Sequence, residues 1–325
     1  TRIINTKKLL FYKPDKHILE KIDYMFENIS KDLNSKKNLN GLMCHLNHVK
    51  LQVKKISPIL THNNINYVIS YSSSNILSIS LSILRKFFNH KVISYQYSFI
   101  KEPNPIMSTS ADYMFIFSKY FIDKYSNFYS KPKKILISGY LYSSLIKKFK
   151  KDIKKYKNKF RLNNKFIISY FDENADDSNW SLSTIEEMKV KYKELAKFVL
   201  DNKDIIVIIK TQFLKNIPTI MFPDDMQIFK AVNSGRFIEF NHLSTKNIIK
   251  KKIYFKNLSF RNIIMPMTAS LMSDITISEK YGATTSIETA ILGKRNIFIN
   301  DKKFKTNLDK YFKKNIEFSS LKHAL

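Results

Sequence analysis

Short runs of apolar and β-branched residues alternate along this chain with longer stretches of helical periodicity. That alternation restricts it to βα units on parallel sheets. Residues 66–71, NYVISY, read as a buried strand, followed by the polar turn Ser72, Ser73, Ser74 and by Asn75 as a candidate N-cap. Residues 76–88 are apolar at 76, 77, 79, 81, 83, 84, 87 and 88, which is helical spacing. Strands are expected at 91–95, 113–117 and 134–138, with a helix at 119–129 and Gly139 ending the series. Residues 7–12, 15–33 and 43–60 read as a strand and two helices of the same domain.

The pattern breaks at 143–164, where residues 147–157, KKFKKDIKKYK, read as a Lys-rich helix or linker, and then restarts. Strands are expected at 166–171, 205–210, 237–240, 253–255, 274–278 and 296–299, and helices near 184–201, 243–250, 285–292 and 307–314. The chain of 325 residues therefore divides into an N-terminal domain, 1–146, a basic linker, 147–164, and a C-terminal domain, 165–325.

Composition excludes several classes. One cysteine, Cys44, forms no internal disulfide and points to a reducing, cytoplasmic compartment. No Cys/His cluster has zinc spacing; His45 and His48 stand at i, i+3, but no neighbouring carboxylate completes a site. No apolar run reaches the ~18–20 residues of a membrane span. The opening Thr1-Arg2-Ile3-Ile4-Asn5 has neither an initiator Met nor a signal-peptide pattern, as in a segment of a longer protein. With only five glycines, neither a Walker loop nor GxGxxG is present, so phosphate must be held by helix N-termini, hydroxyls and Lys. The 56 Lys+Arg against 27 Asp+Glu, formally +29, imply polyanionic partners, although the wealth of Lys, Asn and Ile also fits an AT-rich coding sequence.

In open α/β sheets, ligands gather at the carboxyl ends of strands. Residues 274–299 run from a strand ending at Ser278, through Gly282, to Thr284, Thr285 and Ser286 at a helix start. Glu288 lies one turn in, and Gly293 follows the helix as its C′ residue. Free N–H groups and the helix dipole favour a phosphate there, and Glu288 is placed for a ribose diol. The same residues equally fit an ordinary capped helix whose capping box Glu288 completes.

This window resembles the nucleotide-sugar signature of GT-B glycosyltransferases, a strand followed by Gly, hydroxyl residues, Glu-Ala and a closing Gly. The resemblance implies two Rossmann-like βα domains facing a cleft. It assigns Glu288 to the donor ribose and Gly282, Thr284, Thr285 and Ser286 to the donor phosphates; position 289 is Thr where the family more often has Ala. Other windows are similar to the bacterial surface-polysaccharide branch, the capsule and CDP-glycerol-type transferases. Residues 206–213 resemble a strand ending in Lys-x-His-Pro, with Lys210 matched and Gln212 and Phe213 in place of His and Pro. Residues 92–99 resemble a strand ending in Gln-His-Gly, with Gln96 matched and Tyr97 and Ser98 substituted. Residues 111–118 and 135–139 resemble the Asp-strand-Ser and Gly-ending strands that close the N-terminal domain.

With histidine absent at 97 and 212, other groups must take its work. Glu102, in the loop after Gln96, is the candidate base for the acceptor hydroxyl, and on its own it also reads as a solvated loop residue beside Lys101. Asp172 is a second catalytic candidate; with Glu173 it follows the first C-terminal strand and is expected to face acceptor. The acidic run through Asp176 and Asp177 reads as a capping loop rather than a metal site. Lys210 ends an apolar strand, where a cation needs an anionic partner such as a donor phosphate unless it snorkels at the sheet edge. Thr211 and Ser278 join it on the donor side, and Ser72, Ser73 and Gln96 on the acceptor side. Trp180 reads as a loop anchor or a stacking surface.

The expected activity is transfer of a sugar, or polyol phosphate, from a nucleotide-activated donor to a surface glycan or glycolipid. No metal or other cofactor is expected, nor nucleic acid, and partners extend to an anionic membrane at the inner face of the plasma membrane. Two alternatives stand beside it. One is a non-catalytic nucleic-acid or anionic-membrane binder built on the 147–157 run; the other is a nucleotide-sugar 2-epimerase of the same fold.

Overall fold

The computed structural model describes residues 15–34, 40–63, 65–70, 76–96, 111–126, 131–173, 175, 183–211, 216–240, 264–280, 284–303, 305 and 316–325. Contacts divide the chain into two compact units, Thr1–Leu141 and Tyr142–Leu325.

The first unit carries a four-stranded parallel sheet whose spatial order follows the chain: β1 (Tyr67–Ser70), β2 (Lys91–Tyr95), β3 (Tyr113–Ile116) and β4 (Lys134–Ile137). Helices α1 (Lys16–Asn34), α2 (Asn40–Asn63) and α3 (Ile76–Leu84) pack over it. Ile22, Phe26, Val53 and Leu84 are sealed in their shared core with Val92 of the sheet. Helix α3 stops at Leu84, short of the expected 88, and the 119–129 segment is a 3-10 turn, Lys119–Phe121, running into a short α4 (Ile122–Ser126). Asp112, matched above to an Asp-strand-Ser pattern, turns out to hold the sheet together. Its carboxylate accepts from the Val92 amide at 2.8 Å and pairs with Arg85 and Lys133, both at 3.0 Å. Burial pushes its pKa up, but these donors prevail and hold it down at about 2.

The second unit runs from Tyr142, and its first α-helix is α5 (Ile146–Lys159), so the helical one of the two readings of 147–157 applies. Its sheet contains β5 (Phe166–Phe171), β6 (Ile205–Lys210), β7 (Phe237–Phe240), β8 (Ile275–Glu279), β9 (Arg295–Ile299) and the two-residue β10 (Glu317–Phe318). All pairs are parallel, in the order β10-β9-β8-β5-β6-β7. The chain winds outward from β5 to β7, then returns to the other side of β5 and winds out to β10. The β5/β8 pair is thus the topological switch point, where open α/β sheets leave a ligand-sized opening at the strand ends.

Helix α6 (Ile185–Asp201) covers one face. A capping box at Thr184 and Glu187 starts it, and it buries Met188, Tyr192, Leu195, Ala196 and Val199 at helical spacing. Helix α8 (Met226–Asn233), capped by Asp225, packs beside it, after the short α7 (Pro218–Met221). The opposite face is closed by α5 and by α9 (Pro266–Met272), with Ile153, Tyr156 and Phe160 against Ile206, Ile208 and Phe240. Helix α10 (Thr284–Ile291) lies against α9, β8 and β9, and α11 (Leu321–Ala324) ends the chain. Helices α8 and α9 carry no expectation above. Helix α9 is buried at every interior position, so it shows no amphipathic stripe, and Pro at its first position is its only start signal. The elements expected at 7–12, 243–250, 253–255 and 307–314 lie outside the described residues. No described helix is long and apolar enough to cross a membrane.

Leu195 is fully buried between α6 and the sheet. Leu195→Ala is expected to destabilise the second unit by about 2–5 kcal/mol. Ile69→Ala, at a side chain 71% exposed on edge strand β1, is expected to stay within about 0.5 kcal/mol. Urea unfolding followed by circular dichroism checks both.

Candidate functional site

The continuous apolar run of β6 ends on a cation. Lys210 is 3% exposed, and its ammonium donates to the Thr211 carbonyl at 2.6 Å. Burial lowers its pKa to about 8, while Asp172 and Glu288 act in the other direction and favour the charged form. Charges from two other sequence windows, Asp172 after β5 and Glu288 in the first turns of α10, therefore act on Lys210 at the end of β6. Asp172 is itself fixed: Tyr192, fully buried on α6, offers its hydroxyl to the Asp172 carboxylate at 3.0 Å and to the Asn216 carbonyl at 2.8 Å.

The first turn of α10 is joined to the sheet by hydroxyl groups. Ser278 at the end of β8 and Ser286 are both buried, and their oxygens lie 2.7 Å apart. Thr289, the departure from Glu-Ala, donates to the Thr285 carbonyl at 3.0 Å. Its hydroxyl lies 2.9 Å from that of Ser270 on α9 and receives one from Thr276 of β8 at 3.3 Å. Thr276 also donates to Asn296 of β9 at 2.7 Å. This seam ties α10 to α9, β8 and β9, leaving Thr284 and Thr285 half-buried at the helix start. Ser278 and Ser286 thus bond to one another, and Thr211 is tied through its amide to the Phe240 carbonyl at 3.1 Å. Glu173 lies beside Asp172, its carbonyl accepting from Asn216 at 3.4 Å. Gln96 is in the first unit, buried, with its side-chain oxygen accepting the Phe117 amide at 3.0 Å.

Glu102, Ser72, Ser73 and Gly282 lie outside the described residues, as do Gln212, Phe213 and Trp180. Among the described residues no group of three or more His, Cys, Asp or Glu side chains is arranged to hold a metal ion.

Sequence reading missed a buried ionic cluster on the α6 side of the same strand ends. Glu279, fully buried, accepts from Tyr170 and from Lys191, each at 2.8 Å, and Lys191 also pairs with Asp301 at 2.9 Å. Burial alone would lower the Lys191 pKa, but the two carboxylates raise it above the usual lysine value. Next in the chain, Lys280, 1% exposed, pairs with Glu317 at 2.7 Å. The available signal was a charged pair, Glu279-Lys280, at the end of a strand.

No family model and no curated protein matches the chain. Solved structures do. A putative UDP-N-acetylglucosamine 2-epimerase from Listeria monocytogenes is similar at 11% identity and a TM-score of 0.50, over 81% of this chain and 68% of that one. The chain has the GT-B fold. A glycosyltransferase from Rickettsia africae aligns at 15% identity and a TM-score of 0.47, over 91% of this chain and 76% of its own. The wall teichoic acid polymerase TagF aligns at 14% identity and a TM-score of 0.40, over 85% and 81% respectively. At these identities the shared property is the fold.

Lys191→Met leaves Glu279 charged and uncompensated in the interior, and a loss of about 3–5 kcal/mol is expected. Adding Glu279→Gln to that variant should recover a large part of the loss. Urea unfolding of the single and double variants measures the coupling, and additive losses would refute it.

Proposed function

We propose that this chain is a glycosyltransferase that moves a sugar, or a polyol phosphate, from a nucleotide-activated donor to a surface glycan or glycolipid acceptor. The observation that carries this reading is the cation buried at the end of β6, beside the switch point of the sheet and acted on by Asp172 and Glu288. A lysine held there at the cost of desolvation fits an anion that arrives with substrate.

In this reading the donor diphosphate meets Lys210 and the amides and hydroxyls at the start of α10, while Glu288 binds the ribose. For sugar transfer the acceptor oxygen forms a bond to the anomeric carbon as the carbon–oxygen bond to the diphosphate breaks. The electron pair leaves on the phosphate oxygen, whose growing charge Lys210 and the α10 amides stabilise. Glu102 takes the hydroxyl proton. Asp172, held by Tyr192, keeps Lys210 charged, and Ser278 and Ser286 set the angle of α10. The epimerase activity named for the Listeria relative would ask for acid and base groups about a carbon-bound proton. Among the described residues no histidine stands at the ends of β5, β6 or β8, while Glu279 there is paired with Lys191 and Asp172 accepts from Tyr192. In this reading the reaction is cytoplasmic.

A panel of UDP, CDP and CMP is expected to include one nucleotide that raises the melting temperature of the wild type, with the rise largely lost in Glu288→Ala. No shift with any nucleotide would remove the transferase reading, and an equal shift in Glu288→Ala would remove the ribose assignment. The pH dependence follows from Lys210. Its free-state value of about 8 is the lower bound of the window, because bound phosphate raises it. Affinity should be unaffected by Lys210 below about pH 8 and fall up to tenfold per pH unit above it. Lys210→Arg, if it binds, should abolish that fall, since a guanidinium stays charged. Isothermal titration between pH 6.5 and 9.5 distinguishes the two profiles.

A further inference from the structure

Helix α5 has two unlike faces. Within Ile146–Lys159 there are eight lysines and one aspartate. One stripe, with Ile153 and Tyr156 and continued by Phe160, is packed into the core beneath β5 and β6. The opposite face presents Lys147, Lys150, Lys151, Lys154 and Lys155, all exposed, along a helix about 21 Å long. Among the described residues none of these five lysines forms an ion pair or hydrogen bond. Like charges at i, i+3 and i, i+4 repel, so this face destabilises its own helix, and only the packed stripe holds the row in place. None of the five belongs to the site at the ends of β5, β6 and β8.

A rigid, unneutralised row of cations calls for an extended anionic surface. Within α5 no described aromatic side chain is exposed, which argues against single-stranded nucleic acid, gripped by base stacking along its length; Tyr156 and Phe160 are turned into the core and Phe149 is half-buried. Lysine point charges suit diffuse phosphate headgroups, and Tyr142, in the turn leading into the helix, is 44% exposed, a residue type that settles at the membrane–water interface. We propose that the lysine face of α5 docks the protein on an anionic lipid bilayer. The proposal goes beyond the transferase reading and does not depend on it.

Co-sedimentation with vesicles of phosphatidylglycerol and phosphatidylcholine tests it on the full chain. Wild type should bind at low salt and release as salt rises. The quadruple variant Lys147→Gln, Lys150→Gln, Lys151→Gln, Lys154→Gln should lose about 100-fold or more in partition, at roughly fivefold per lysine. A control with the same charge change on other exposed lysines, Lys197→Gln, Lys203→Gln, Lys230→Gln, Lys322→Gln, should lose less than tenfold. Circular dichroism and the nucleotide-induced melting shift should be unchanged in the α5 variant, so failure of docking and failure of donor binding read out separately. Equal losses in the two quadruple variants, no vesicle binding by wild type, or preference for a single-stranded oligonucleotide over vesicles would each overturn the proposal.

Discussion

A charged lysine at the end of an apolar strand governs the second unit. Strand β6 is buried from Ile206 through Lys210, and the ammonium of Lys210 has lost most of its water. Its one side-chain hydrogen bond among the described residues, to a backbone carbonyl, does not replace that hydration. Asp172 and Glu288 supply the compensating field, and each must be held where it acts. Tyr192 holds the first, and the seam of Ser278, Ser286, Thr289 and Thr276 holds the helix that carries the second. The polar groups around the switch point are thus each held by neighbouring elements, which favours a preorganised site over a loose one.

The two faces of that sheet are built differently. On the α6 side aliphatic and aromatic side chains pack from Ile168 to Val199, interrupted by polar groups such as the Glu279, Lys191 and Asp301 cluster and the Tyr192–Asp172 bond. On the α9 and α10 side small hydroxyl residues take over, with Ser169, Ser270, Ser273, Thr276 and Thr289 all buried. Small side chains let helices approach closely, and their hydroxyls bond to one another and to carbonyls instead of standing unsatisfied. A comparable use of polar groups appears at the strand starts. The Asp112 carboxylate accepts the Val92 amide and the Asp274 carboxylate accepts the Ile167 amide, each at 2.8 Å. These carboxylates fix strand ends, so acidic residues that resemble motif positions here serve the fold.

Legibility in the sequence followed the physics of each element. Strand β6 is buried on both faces and reads as an apolar run up to Lys210, β5 as one interrupted by Ser169, and α6 carries its capping box and its apolar stripe openly. Helix α9 was hidden because uniform burial removes periodicity, and β10 because two residues carry no pattern. Within the site, Lys210, Asp172 and Glu288 were legible because each follows a recognisable strand or opens a helix. Tyr192 was not, since nothing local separates a tyrosine that anchors a carboxylate from one that fills a core. The basic stretch at 147–157 was visible as charge, yet its packed stripe, which makes it a helix of the second unit, needs Ile206, Ile208 and Phe240 as partners.

By itself the sequence determined the βα alternation, the strand ends at which chemistry gathers, the exclusion of glycine-rich phosphate loops and the charge excess. These are properties of residue type and local spacing. Tertiary structure alone decided the strand order that sets β5 beside β8, since register and crossover are choices among distant segments. It also decided that Ser278 and Ser286 bond to each other, and that the charges of Asp172 and Glu288 act on one buried lysine. A side chain's partners are fixed by what packing brings within a few ångströms, and a chain read one residue at a time holds no record of those distances.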